Sequence, residues 1–337
     1  MEEYVACLIS ESKTFKMKNQ TYKIFQFGLG QIGALGMKSI FEPLSPHTHL
    51  GHVLKDPRYS ISGIWDINVN ARKKVFKMIG NKVKICEYEE VIDADIAVIA
   101  TPPETHQEIM DKILKLDKVQ VIICEKPLSN NLDTARNIQK TLKEKKISCL
   151  VNFPRSIILS NSSWHLTVQK SLNQNKRVFA GIQIVDENYS GLWHAIHLLV
   201  SIHKNFSKMD FFEDRSFHGK EYSRLIGVYN NLELEIKLVK TKKLLARGEI
   251  YFHLPDQTIR IVDGFSKVFT SKGEKYLGWS KTSNSNISQV NWIDDSMRSL
   301  YSMAYDNLKY GSTESYGVDE AVLTHYLMKK IKSFVLV

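Results

Sequence analysis

The 337-residue chain has little cysteine, little proline and no long apolar run. Its four cysteines, Cys7, Cys86, Cys124 and Cys149, stand far apart without a Cys-x-x-Cys pair, so neither a disulfide framework nor a cysteine-built metal site is expected. Cys124 and Cys149 fall within apolar, strand-like runs and read as buried thiols in a reducing compartment. The longest apolar runs, such as Ile96 to Ala100 and Val119 to Cys124, are strand-sized and far short of the roughly 20 residues that a membrane-spanning helix requires. The opening MEEYVACLIS is acidic and lacks the basic start, apolar core and small-residue cleavage site of a secretory signal, so a cytoplasmic location is expected. There is no internal repeat and no long low-complexity tract.

What is present fits an ordinary folding chain. Hydrophobic residues make up 43% and charged residues 24%, which excludes bulk disorder, and at roughly 150 residues per domain the length predicts about two domains. The 46 Lys and Arg outnumber the 36 Asp and Glu, giving a net charge of +10. The lysines are dispersed (Lys73-Lys74, Lys143 to Lys146, Lys237 to Lys243, Lys329-Lys330), and no nucleic-acid motif accompanies them. The charge therefore does not argue for DNA, no nucleic-acid partner is expected, and it suits a general attraction for small anionic ligands.

Two textures divide the sequence. Over 21–151, the short apolar runs YKIFQFG, SISGIWD, IAVIAT, VQVIIC and ISCLVNF alternate with amphipathic stretches, including Asp111 to Leu116 and Leu132 to Lys143. That is the pattern of a parallel α/β sheet. Over 152–337, RVFAGIQIV, LELEIKLVK, GEIYFHL and QTIRIVD follow one another with turn signals at Asn230-Asn231 and Pro255-Asp256, predicting a mainly antiparallel open sheet in an α+β domain. Helices are expected near Leu192 to Ile202, Asp295 to Leu308 and Val318 to Ser333. Residues 1–20 read as a polar N-terminal arm.

Gly28-Leu29-Gly30-Gln31-Ile32-Gly33 follows the first strand directly. In this spacing the first glycine makes a tight turn, the second lets backbone approach a pyrophosphate and the third lets helix pack on strand, with the phosphates at the helix N-terminus. Asp66 ends the second strand, where its carboxylate can accept from adenosine ribose hydroxyls and would repel a 2′-phosphate. NAD(H) is therefore preferred, while Arg72 and Lys73 nearby leave NADP(H) open. Asp66 lies further from the glycines than the usual ~20 residues because of an inserted segment, EPLSPHTHLGHVLKDPRYS. His47, His49 and His52 in that insertion invite a zinc reading, but no Cys or carboxylate stands at a recurrent ligand spacing, and a turn-rich loop is preferred. No metal is expected.

Ala100-Thr101-Pro102-Pro103 with His106 ends the run IAVIAT, and Glu125-Lys126-Pro127 ends the next, VQVIIC. Together with the glycine loop and Asp66, this ordered set resembles the glucose–fructose oxidoreductase / inositol dehydrogenase / rhizopine catabolism (Gfo/Idh/MocA) family, most strongly over residues 22–156. The resemblance implies a Rossmann domain followed by an α+β domain. It implies a cofactor site formed by Gly28, Gly30, Gln31, Ile32, Gly33, Asp66, Thr101, Pro102, Pro103, His106, Glu125 and Lys126. Lys126 would receive or supply the hydroxyl proton that accompanies hydride transfer, with Pro127 restricting its backbone.

Val151-Asn152-Phe153-Pro154-Arg155 resembles the segment where an Asn and an Arg approach substrate, although a helix-entry turn reads equally well. Gly191 to Leu199 resembles the helix carrying a second catalytic residue, which His197 fits best. Many members carry an acidic or amide residue one turn before that histidine and an Asp three residues after it; here those places hold Trp193 and Val200. His194, at i−3 from His197, shares its helical face and is a candidate substrate residue. The resemblance implies an NAD(P)-dependent oxidoreductase acting on a sugar, sugar derivative or nucleotide sugar, assembled as a homo-oligomer. The alternatives are a cofactor-binding regulator without turnover and a reductase of a non-sugar substrate.

Overall fold

The computed structural model describes residues 21–37, 41–88, 90, 93–116, 118–160, 162–185, 190–214, 222–240, 247–262, 264–276, 279–289 and 292–335. The expected N-terminal arm and Cys7 lie outside them. The first sheet contains β1 (Tyr22–Phe27), β2 (Tyr59–Trp65), β3 (Ile96–Ile99), β4 (Val121–Glu125) and β5 (Ser148–Asn152), all parallel, in the order β2-β1-β3-β4-β5. Beyond β2 a single parallel bridge, Ile64 to Ile85, stands where a further edge strand of a dinucleotide-binding sheet would lie.

Near-continuous apolar strands imply burial on both faces, and alternate residues separate accordingly. Phe25, Phe27, Ala97, Ile99, Ile122, Cys124 and Val151 pack under α3 (His106–Ile113) and α4 (Leu132–Lys145). Ile24, Val98, Val121, Ile123 and Leu150 pack on the opposite side under Leu300, Tyr301 and Ala304 of α8 (Trp292–Tyr310). A helix from the far end of the sequence thus covers one face of the N-terminal sheet. α9 (Val318–Val335) joins the two cores: Val318, Ala321 and Val322 pack with the parallel sheet, while Leu327, Met328 and Ile331 pack with the second domain.

The second sheet has the order β13-β12-β11-β10-β6-β9-β8-β7, formed by β6 (Val178–Val185), β7 (Asp210–Glu213), β8 (Tyr222–Tyr229), β9 (Leu232–Val239), β10 (Arg247–His253), β11 (Gln257–Val262), β12 (Lys267–Tyr276) and β13 (Trp279–Gln289). Only the central β6–β9 pair is parallel. Leu232, Leu234, Ile236 and Leu238 turn toward α7 (Ser190–Ile202) in the core. Glu235 points the other way yet is nearly buried, because Arg224 on the adjacent β8 and Tyr251 on β10, beyond β6, both donate to it.

One element departs from the sequence reading. The glycine loop leads into a five-residue π-helical turn, Gln31–Leu35, closed by Gly36 at φ 72°. A single turn carries little macrodipole, so among the described residues the segment after the glycines is helical for one turn only. The inserted segment then forms the short α1 (His49–Val53), capped by Thr48, against α8.

If α8 is integral to the parallel sheet, Leu300→Ala, at a fully buried position, lowers the unfolding free energy by about 3 kcal/mol in urea denaturation. A loss below about 1 kcal/mol would mean that α8 is only loosely docked.

Candidate functional site

The carboxyl ends of β1 to β3 open into a cleft of about 520 Å³ lined by Gly28, Gly30, Trp65, Asp66, Ile67, Tyr88, Thr101 and Pro102 among others. In an open parallel sheet this edge, where the strand order reverses, is where ligands sit. Gly28 adopts φ +90°, and a Cβ there would meet the Ala100 carbonyl at 2.4 Å; a Cβ on Gly33 would meet the Gly28 carbonyl at 2.3 Å. A Cβ on Gly30 would meet nothing within 4 Å. The outer glycines are therefore needed for the fold of the loop, while Gly30 leaves bare backbone facing the cleft. That room suits a bulky phosphorylated ligand.

Buried polar groups hold the loop. Gln26, in the middle of an apolar strand, donates from Nε2 to the carbonyls of Gly28 (2.8 Å) and Gly33 (3.0 Å). Asp66 accepts the Leu29 N–H at Oδ2 (2.6 Å) and the Asn68 N–H at Oδ1 (2.7 Å), so it fastens the glycine turn to the end of β2 and keeps lone pairs toward the cleft. Trp65 and Tyr88 form a tilted pair at 4.7 Å on the wall. Of the basic residues that would receive a 2′-phosphate, Arg72 is paired with Glu87 at 3.2 Å. Gln31 is exposed at the start of the turn, and Ile32 packs inward against the α8 side of the sheet.

Thr101, Pro102 and Pro103 follow β3 along the same edge, with the Thr105 hydroxyl donating to that of Thr101. His106 does not face the cleft. It is fully buried, its Nε2 2.9 Å from the Thr101 carbonyl and its Nδ1 3.2 Å from the Leu128 carbonyl, so it ties together the loops after β3 and β4. Burial lowers its pKa, with the two carbonyls opposing the shift.

Lys126 is half-buried just past β4, and its bond to Pro127 is cis. Glu125 beside it is buried, and its Oε1 accepts from Asn152 Nδ2 (2.6 Å) and contacts His49 Nε2 (2.9 Å). Burial pushes the Glu125 pKa up, but the hydrogen bond and charge of His49, the bond from Asn152 and the Lys126 charge outweigh it and leave the carboxyl below its usual range. Asn152 is thus committed to the neighbouring strand, in register with Glu125.

The structure separates the two histidines of α7. His197 has no exposed surface: its ring stacks on Phe153 at 3.4 Å, Nδ1 lies 2.7 Å from the Ser156 hydroxyl, and burial pushes its pKa down to about 3, opposed by the Gly317 backbone. It is packed between α7 and α5 (Pro154–Leu159). His194 also has a pKa pushed well down by burial, and the charges of Arg155 and Lys126 add to the shift. His194, rather than His197, therefore lies in the field of Lys126 and Arg155, and its Nδ1 has no hydrogen-bond partner among the described residues. Arg155 donates from Nε to the Gly264 carbonyl (3.0 Å) and lies over Phe265; burial lowers it to about 10.

Gln26, His49, Ser156 and Tyr301 were not picked out as site residues from sequence. Gln26 had a signal, a lone amide within an apolar strand; the others have partners remote in sequence. Among the described residues, no three His, Cys, Asp or Glu side chains gather to hold a metal, and no helix is long and apolar enough to cross a membrane.

No curated protein matches the sequence. Solved structures share the fold along nearly the whole chain. A super-repressor mutant of Gal80p from Saccharomyces cerevisiae is 13% identical with a TM-score of 0.67, over 94% of this chain and 96% of that one. The WlbA dehydrogenase from Bordetella pertussis, in complex with NADH and UDP-GlcNAcA, is 14% identical with a TM-score of 0.64, over 94% and 96%. A mutant of KijD10, a 3-ketoreductase from Actinomadura kijaniata in complex with TDP-benzene and NADP, is 12% identical with a TM-score of 0.64, over 93% and 98%. Residues 28–153, the stretch that carries the glycine cleft and Lys126, match the model of the oxidoreductase family with an NAD-binding Rossmann fold, GFO_IDH_MocA.

Proposed function

We propose that this protein is an NAD(P)-dependent oxidoreductase that moves a hydride between nicotinamide and a hydroxyl or keto carbon of a sugar or nucleotide sugar. The observation that carries this reading is Lys126, half-buried at the end of β4 on the sheet edge that also holds the glycine cleft. When bound, the nicotinamide supplies or accepts the hydride. In the oxidative direction the C–H hydride leaves the alcohol carbon while its O–H proton passes to Lys126 Nζ; in the reductive direction Lys126 returns a proton to the new alkoxide. His194, whose Nδ1 has no partner among the described residues, assists in place of His197, whose ring is taken up by Phe153 and Ser156, and Arg155 supplies positive charge suited to an anionic substrate. The nucleotide-linked ligands of WlbA and KijD10 support a nucleotide sugar. The Asp66 carboxylate and the pairing of Arg72 with Glu87 favour NAD(H) over NADP(H).

A second reading, a cofactor-binding regulator without turnover, is favoured by the burial of His197, by Trp193 at the place of an acidic or amide residue, and by the likeness to a repressor, Gal80p. Lys126 on the cleft edge favours the enzyme.

Three measurements test this. Gly30→Val, placed where a side chain meets only open space, weakens NADH binding by about tenfold or more in fluorescence titration with the melting temperature unchanged, whereas Gly33→Val lowers the melting temperature. Asp66→Ala weakens NADH binding and narrows its advantage over NADPH; an unchanged ratio would remove the assignment of Asp66. In a screen of nucleotide sugars, Lys126→Ala cuts turnover by about 100-fold with NADH affinity kept. NADH binding without turnover on any sugar would favour the regulator.

A further inference from the structure

The inserted histidine loop reaches the catalytic edge from below. His49 has no exposed surface, and its two ring nitrogens are both engaged: Nε2 lies 2.9 Å from Glu125 Oε1, and Nδ1 lies 3.0 Å from the Tyr301 hydroxyl on α8. An ionised carboxylate only accepts, so Nε2 must carry a hydrogen toward Glu125. Nδ1 faces the Tyr301 hydroxyl, which burial keeps protonated. Two further aromatic contacts brace the arrangement: His52 stacks on Tyr301 at 4.7 Å, and Tyr59 donates to the Tyr301 carbonyl. The other ionisable groups around this cluster are Lys126 and His106 near Glu125, and Asp56 near Tyr301.

We infer that His49 is a positioning residue for Lys126, acting through Glu125. The loop histidine and Asn152 keep the carboxylate charged and fixed next to the lysine, and Tyr301 holds the ring that does so. A carboxylate held beside an amine favours the charged amine, whereas a carboxyl that loses a donor in a buried site is more easily neutralised. The insertion and the C-terminal helix thus act on Lys126 through the carboxylate of the residue beside it. The catalytic meaning rests on the proposed role of Lys126, but the geometry does not, so the test reads Lys126 without a substrate.

The experiment is competitive acylation of the full chain with isotope-labelled acetic anhydride at fixed pH, with each lysine read by mass spectrometry and the exposed Lys140 as internal reference. His49→Phe, which keeps bulk and removes the donor, raises the Lys126 rate by about threefold or more; His49→Gln, which can still donate to Glu125, stays within about 1.5-fold of the wild type. Equal rates in all three proteins would overturn the inference, and so would His49→Gln behaving like His49→Phe, since packing rather than the hydrogen bond would then be at work. If His49→Phe does not fold by circular dichroism, Tyr301→Phe, which deletes only the hydroxyl on Nδ1, takes its place: a raised Lys126 rate supports the inference and an unchanged rate overturns it. A Lys126→Ala variant with full turnover would remove the catalytic role of Lys126 while leaving this measurement intact.

Discussion

A carboxylate buried at the end of an apolar strand is the constraint around which the site is built. Glu125 would cost several kcal/mol if it were left unpaired there. It is accommodated because three distant segments converge on it: Asn152 from the adjacent strand, His49 from the insertion and, behind His49, Tyr301 from α8. The same convergence explains why a C-terminal helix closes an N-terminal sheet. Tyr301 and Leu300 bury their side chains over Ile24, Val98 and Ile123, and this docking brings the Tyr301 hydroxyl to the histidine. Packing and site geometry are two consequences of one contact.

The glycine loop shows the converse division of labour. Gly28 and Gly33 are fixed by close backbone approach, and Gln26 secures their carbonyls from inside the strand. Gly30 alone is free of such contacts, so the loop offers backbone to a ligand without depending on it for its own shape. With only one π-helical turn behind it, anion binding here relies on this open backbone rather than on the field of a long helix.

Much of this was legible in the sequence. Apolar runs bounded by Gly28, Asp66, Thr101, Glu125 and Asn152 correspond to the five parallel strands and place each motif at a strand's carboxyl end, because such runs have few other ways to fold. The helix after Pro103 begins at His106 rather than near Asp111, since the prolines start the turn immediately. The helix at Val69–Ile79 went unread because it buries only Ala71 and Val75 and exposes Phe76 and Met78, which leaves no clear apolar stripe. The docking of α8 and α9 onto the parallel sheet was also unreadable, so the division at residue 151 does not follow the packing of those helices. His197 held the motif position, but its orientation depends on Phe153 and Ser156 from another helix, which no local spacing encodes. The reach of His49 to Glu125 was hidden for the same reason.

In the proposed function the cleft at the ends of β1 to β3 holds a nicotinamide dinucleotide with its reactive end toward Lys126. A crystal structure of the complex with NADH tests it most directly. The account predicts adenosine between Asp66 and Tyr88, pyrophosphate over Gly30 and the nicotinamide ring beside Thr101 with Lys126 facing it. A dinucleotide bound elsewhere, or one whose nicotinamide lies away from Lys126, would contradict it.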